Sequence, residues 1–205
     1  MKIIDIENWN RKAHYNHFMG LKDPYFAVTI PFNVTKAYTF SKDNNISFFA
    51  KYLHDCIRAI NAVENLKYRI EDDKVVAYDV IHASATIMRS DNTYGFSFID
   101  FDEDLNTFIQ NIEKEKQRIE HSKDLYPPKN GLDCIHCSAM PWLYYTGHKE
   151  PVSGALESVP KVSFSKAIKK GTELSMNVSI NVNHALADGY HVGEFSEKFQ
   201  HFLVQ

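Results

Sequence analysis

Between Leu174 and Val182 the chain alternates side-chain character residue by residue: Leu174, Met176, Val178, Ile180 and Val182 against Ser175, Asn177, Ser179 and Asn181. Only an extended strand puts five apolar side chains at that spacing on one face. The run ends in Asn183-His184-Ala185-Leu186-Ala187-Asp188-Gly189, and Gly189 to Leu203 reads as a terminal helix. A strand, a seven-residue corner and a helix must therefore follow one another. A histidine delivered on a strand end suits general-base work, because an unperturbed pKa near ~6.5 leaves it neutral and ready to accept a proton. Asp188 can lock the corner if a cation meets it, and Gly189 permits a turn that a side chain would hinder. A lone histidine at such a place is more often structural, so the reading depends on the rest of the chain.

Two further segments supply that context. Trp9-Asn10-Arg11-Lys12-Ala13-His14-Tyr15 lies near the N-terminus, and Ser138-Ala139-Met140-Pro141-Trp142 lies past the middle. With His184-x-x-x-Asp188-Gly189-Tyr190-His191-Val192 they form three motifs, in order and at similar spacing, that resemble those of the chloramphenicol acetyltransferase family. The His-x-x-x-Asp-Gly element alone is shared with other coenzyme A-dependent acyltransferases and with condensation domains, whereas the three together are specific. The resemblance implies a chloramphenicol acetyltransferase-like, coenzyme A-dependent acyltransferase fold: an α+β two-layer sandwich, a mixed β-sheet with helices on one face.

The remaining sequence agrees. Ser47 to Ile60 has helical apolar spacing behind a capping serine. Leu66–Ile70 and Lys74–Val80 flank Asp72-Asp73 as a hairpin. Ala83–Met88 and Gly95–Ile99 read as strands, Asp102–Glu120 as a charged amphipathic helix, and Leu132–Ser138 as a strand feeding a turn. Lys169 to Thr172 reads as a turn between a strand over Lys161–Ile168 and the alternating run. At 205 residues and 44% hydrophobic composition, residues 1–205 can form a single domain with a sizeable core. A net charge of −3 argues against a nucleic-acid partner. No segment approaches the ~20 apolar residues of a membrane span, and no leader is evident, so the expected compartment is the cytoplasm. Three scattered cysteines, Cys56, Cys134 and Cys137, fit a reducing compartment. Cys134-Ile135-His136-Cys137 looks like half a zinc site, but strand alternation sends its cysteines to opposite faces and no second ligand pair follows, so no metal is expected.

The resemblance gives roles to residues. It implies an acyltransferase that moves acetyl from acetyl-CoA to a hydroxyl of chloramphenicol, an antibiotic-inactivating reaction, or of a related small molecule. His184 would be the base, Ser138 the donor to the oxyanion, and Ser163 would stand where a threonine holds a water near that oxyanion. Arg11 and Asp188 match a structural ion pair that supports the histidine. Trp142 and Lys166 match positions lining the coenzyme tunnel, and Phe18, Phe26 and Phe96 match apolar walls around the acceptor. A homotrimer with active sites between subunits is implied as well. The chain departs from the pattern at Asn183, where a second histidine is usual, at Ala187, where a cysteine is usual, and around His17, Phe18 and Lys22 beside the acceptor wall. Two other readings use the same fold: a dihydrolipoamide acyltransferase core, disfavoured because those cores follow lipoyl domains and this chain enters its fold at residue 1, and a non-catalytic binder.

Overall fold

The computed structural model describes residues 1–153 and 157–205. In chain order its elements are β1 (Lys2–Ile4), α1 (Lys12–Met19), β2 (Tyr25–Asn33), α2 (Thr35–Asp43), α3 (Phe48–Asn61), β3 (Tyr68–Glu71), β4 (Lys74–Ala77), β5 (His82–Met88), β6 (Tyr94–Phe96), α4 (Leu105–Glu120), β7 (Cys134–Met140), β8 (Lys161–Ser165), β9 (Ile168–Lys170), β10 (Glu173–Asn183) and α5 (Gly189–Leu203).

The alternating run is β10, and it organises the main sheet in the order β2-β10-β8-β7-β5-β6. β10 pairs antiparallel with β2 over nine residues and with β8, while β8–β7 and β7–β5 are parallel, so the sheet is mixed. Its inward side chains, among them Val178, Ile180, Val182, Val162, Phe164 and Ile135, meet Leu53, Ile57 and Ile60 of α3 and Phe195, Phe199 and Leu203 of α5 in one core. Each such buried side chain contributes about 1.5–3 kcal/mol through loss of apolar surface to water. α3 starts where expected: the Ser47 hydroxyl accepts from the Ala50 N–H at 3.3 Å. α5 keeps the boundaries read from the sequence, burying Val192, Phe195, Phe199 and Leu203 along one stripe.

A small sheet, β1-β4-β3, carries a second cluster in which Tyr68, Ile70, Val75 and Ala77 pack with Tyr15 of α1 and with Ala185 and Leu186. Its hairpin turns at Asp72 and Asp73, both left-handed (φ 46° and 60°), as a tight two-residue connection requires. This cluster fixes the corner after His184.

Several boundaries differ from the sequence reading. The strand expected over Lys161–Ile168 stops at Ser165, and Ile168–Lys170 forms a separate strand hairpinned onto β10, with the turn at Gly171 (φ 62°). Lys169 and Lys170 are therefore strand residues. α4 begins at Leu105 because Asp104 caps it, accepting from the Thr107 N–H at 2.8 Å. β6 ends at Phe96, and Ile99 keeps only an isolated bridge to Ala83. β7 continues through Ser138 to Met140, so Ser138 sits within a strand and not at its exit.

Candidate active site

Asn183 closes β10 opposite Tyr25, and the His184 N–H donates to the Pro24 carbonyl at 2.9 Å. The backbone of His184 is thereby held as though the strand ran one residue further. Asn183 builds the corner that follows. Its side-chain oxygen accepts from the Ala185 N–H at 2.9 Å, and its carbonyl accepts from the Leu186 and Ala187 N–H groups at 3.0 and 3.1 Å. Its amide donates to the Glu157 carbonyl at 2.8 Å. The strand-end hydrogen bonding that the departure at this position puts in question is thus supplied by an asparagine with both ends engaged.

Asp188 caps α5. Its Oδ1 accepts from the Tyr190 N–H at 3.0 Å, and its own N–H donates to His191 Nδ1 at 3.1 Å. Burial pushes the His191 pKa down against the pull of the Asp188 carboxylate, whose Oδ1 lies 2.9 Å from the same nitrogen. Arg11 donates through Nη1 to Asp188 Oδ2 at 2.5 Å and through Nη2 to the His184 carbonyl at 3.3 Å. One guanidinium therefore spans both ends of the His184–Asp188 loop. Burial alone would raise the Asp188 pKa, but the Arg11 hydrogen bond and the nearby His191 and Arg11 charges hold it below the ordinary carboxylate value.

The half-buried His184 imidazole lies against Phe18, ring centroids 3.9 Å apart and 6° from parallel, with Phe26 at 4.6 Å. Two of the three phenylalanines expected around an acceptor thus clamp the candidate base. His17 packs on the edge of Phe18 at 4.9 Å, and Lys22 is exposed. A general-base histidine ordinarily has its tautomer fixed by a partner on the second ring nitrogen. Instead Nδ1 is buried and unbonded among the described residues, so ring stacking, and not a hydrogen bond, sets the imidazole plane.

Ser138 belongs to a different place. Through the register of four strands it aligns with Ser163, Ser179 and Thr29. It opens on a cavity of about 520 Å³ shared with Phe96, His136, Glu150, Lys161 and Trp142. A second cavity of about 740 Å³, walled by Phe48, Phe49, Tyr52 and Lys116, meets the first along Thr86, Met88, Ala139 and Trp142. Trp142 is 66% exposed and lines both, so it is no core residue. Ser163 is fully buried and its hydroxyl donates to Glu150. Lys166 is exposed just past β8 and lines none of the cavities described.

His184 and Ser138 are far apart within one chain. His184 lies five residues along β10 from Ser179, and Ser138 lies two strands across from it. At ~3.3 Å per residue and ~4.8 Å per strand, the two backbones are roughly 19 Å apart. A base and an oxyanion donor must both reach one reacting carbonyl, each within ~3 Å of its own target atom. The structure thus divides the expected site into a His184 half, with Arg11, Asp188, Phe18 and Phe26, and a Ser138 half, with Phe96 and Trp142.

His136, Glu150 and Lys161 are lining residues that motif reasoning passes over. His136 was within reach, since it lies two residues before Ser138 on the same strand and must share its face. Glu150 lies in an irregular segment whose pattern carries no signal. Cys56, Cys134 and Cys137 are buried free thiols, and among the described residues no group of three metal-ligating side chains comes together.

Comparison with known proteins bears on the family and the fold. A family model described as chloramphenicol acetyltransferase matches residues 1–200. A chloramphenicol acetyltransferase of Bacillus pumilus is 25% identical over 199 residues, covering 96% of this chain and 90% of its own. Chloramphenicol acetyltransferase 3 of Escherichia coli is 23% identical over 203 residues, covering 96% and 94%. A solved chloramphenicol acetyltransferase superimposes with a TM-score of 0.88 at 28% identity, over 98% of this chain and 99% of that one. An Azotobacter vinelandii dihydrolipoamide acetyltransferase shares the fold at a TM-score of 0.71 and 11% identity, over 100% and 90%.

Proposed function

Because the chain belongs to the chloramphenicol acetyltransferase family, we propose that it transfers acetyl from acetyl-CoA to a hydroxyl of chloramphenicol or a related small molecule, as one acetyltransferase domain over residues 1–205. What carries this reading is the placement of His184 at a strand end, clasped by Phe18 and braced through Arg11 and Asp188. In the reaction His184 Nε2 takes the acceptor's hydroxyl proton as the oxygen attacks the thioester carbonyl. Ser138 donates to the oxyanion that forms; the carbon–sulfur bond then breaks, and the proton passes from His184 to the departing thiolate. Ser163, engaged with Glu150, supports that region of the sheet.

The distance between the two halves gives the family's trimeric arrangement a physical reason here. A neighbouring subunit that brings its His184 against the Ser138 cavity completes a site that one chain lacks. The larger cavity suits the coenzyme arm, with Phe48, Phe49 and Trp142 offering apolar and aromatic surface to the pantetheine. Lys166, exposed beyond β8, reaches a phosphate only if that phosphate lies outside the cavity. No helix among the described residues is long and apolar enough to cross a membrane, and the proposed compartment is the cytoplasm.

The test is thiol release from acetyl-CoA with chloramphenicol as acceptor. Wild type turns over, and His184→Ala loses at least ~10²–10⁴ in kcat while binding both substrates within a few-fold. Near-normal turnover by His184→Ala would refute the mechanism.

A further inference from the structure

The cavity that holds Ser138 is lined by charged side chains, Glu150 and Lys161, that a neutral aromatic acceptor does not require. One wall is aromatic: Tyr94 and Phe96 lie with ring centroids 5.7 Å apart, and Phe96 and Tyr126 5.3 Å apart. The strand floor beside it is not. His136 and Ser138 share a face of β7, Lys161 stands beside His136 in register on β8, and Glu150 completes the lining.

The ionic partners of these residues decide what the cavity attracts. Lys161 Nζ donates to the Glu157 carboxylate at 2.6 Å and to the Pro151 carbonyl at 2.5 Å, so its charge is matched locally. Glu150 lacks an equivalent. It accepts from the neutral Ser163 hydroxyl, and its one ion-pair contact among the described residues is His148 Nδ1 at 3.6 Å, beyond hydrogen-bond reach. His136 is exposed where the cavity opens, and partial desolvation by the neighbouring protein, then Lys161, push its pKa down, so it adds no positive charge at neutral pH. Two carboxylates, Glu150 and Glu157, thus stand against one ammonium, Lys161. A carboxylate only 19% exposed carries a desolvation cost unless a cation or several donors meet it. A carboxylate and an aromatic wall lining one cavity suit a molecule that carries both an ammonium group and a ring.

We propose that the acceptor is a small hydroxylated molecule bearing a protonated amine, its ammonium held by Glu150 and its ring laid on the Tyr94–Phe96–Tyr126 wall while its hydroxyl is presented beside Ser138. The inference rests on the acetyl-transfer reading above and names the acceptor class for that same site. The chemistry is unchanged: acetyl passes from thioester sulfur to hydroxyl oxygen, and the protonated amine has no lone pair with which to compete. Glu150 acts as a specificity determinant and takes no proton.

The experiment compares chloramphenicol with the free amine obtained by removing its dichloroacetyl group. The two share the nitrophenyl ring and both hydroxyls, and differ in a neutral amide against an ammonium. Thiol release gives kcat/KM for each acceptor, and calorimetry gives Kd for each, with wild type, Glu150→Gln and Glu150→Asp. Wild type is expected to favour the amine. Glu150→Gln should lower kcat/KM for the amine about 10–100-fold, the usual effect of losing a charged hydrogen bond. It should leave the amide within about 3-fold, and Glu150→Asp should recover part of the preference. A wild type that favours the neutral amide, or a Glu150→Gln that changes both acceptors alike, overturns the proposal while thiol release leaves the transfer reading standing. If neither acceptor releases thiol, the transfer reading fails by itself. The calorimetric preference for the amine, and its dependence on Glu150, then upholds or overturns the acceptor class. Should Glu150→Gln fail to fold, the wild-type comparison of the two acceptors decides.

Discussion

Arg11 grips Asp188 at 2.5 Å while its second terminal nitrogen reaches the His184 carbonyl at 3.3 Å, so one side chain near the N-terminus joins the histidine and aspartate of the loop. The Arg11 side chain is 11% exposed and that of Asp188 30%. Breaking the pair should therefore cost less than the ~3–5 kcal/mol of a fully buried one. Because the folded-state pKa of Asp188 is depressed, its contribution is present above the unfolded carboxyl pKa and is lost as pH falls through the folded value. Asp188→Asn and Arg11→Val are each expected to lower Tm and kcat together. The double variant should regain part of the Tm, since no unpaired charge remains. Strictly additive losses in Tm across the four proteins would count against the contact, and a loss of kcat with Tm intact in Asp188→Asn would indicate a proton relay instead.

Arg69 poses a different problem, a guanidinium fully buried without a hydrogen-bonded carboxylate among the described residues. It donates to the carbonyls of Leu66, Tyr68, Leu132 and Cys134 at 2.9, 2.7, 2.7 and 2.6 Å, tying β3 to the start of the strand that carries Ser138. Burial lowers its pKa to about 10, so it stays charged at neutral pH. Arg69→Met leaves four carbonyls without that donor, at roughly 1–3 kcal/mol for each that stays buried. Arg69→Lys restores the charge but not the planar fork. Both should lower the urea midpoint, the lysine variant by the smaller amount. An unchanged midpoint in Arg69→Met would show that the clamp is dispensable.

How far the site could be read from the sequence depended on local pattern. The β10 strand, the corner at His184 and the whole of α5 were legible because alternation, a capping aspartate and a glycine agree within twenty residues. The N-terminal elements β1, α1, β2 and α2 carry no comparable pattern. Pro31 interrupts β2, which is tolerable because β2 is an edge strand, and its partner, β10, lies about 150 residues away, beyond any local pattern. The break between Ser165 and Ile168 escaped for a related reason: both sides are strand-like, and only pairing shows that they are two strands. Glu150 and Lys161 gained meaning from their neighbours in space, which no motif encodes.

Asp55 and Lys51 form a buried i,i+4 pair on α3, with Nζ 2.8 and 2.7 Å from the two carboxylate oxygens. Burial outweighs the lysine and pushes the Asp55 pKa up to about 6. With the folded value above the unfolded one, near ~3.9, the folded state binds the proton more tightly. Stability from this group therefore falls as pH rises from about 4 to about 6 and is level above that. A Lys51→Met, Asp55→Leu double variant removes both charges and is expected to be neutral or stabilising. Its Tm advantage over wild type should grow across that pH window and then stop growing. An advantage independent of pH would place Asp55 among the ordinary, fully ionised carboxylates.

The separation of His184 from Ser138 makes the subunit arrangement testable without measuring a distance. Each of His184→Ala and Ser138→Ala, purified alone, should be nearly inactive, the serine variant by about 10²–10³ in kcat. If the base of one subunit serves the serine of the next, unfolding and refolding an equal mixture should recreate complete sites. A His184→Ala chain still offers Ser138, and a Ser138→Ala chain still offers His184. Random assembly into a closed ring then restores about one site in four. A site contained within one chain restores none, because every chain lacks one of the two groups. Recovery near a quarter of wild-type activity, absent from either variant refolded alone, is the expected result. Failure to recover any activity from a mixture shown by differential tagging to have co-assembled would place both groups of a site in the same subunit, and the ~19 Å reading of the sheet geometry would then have to give way.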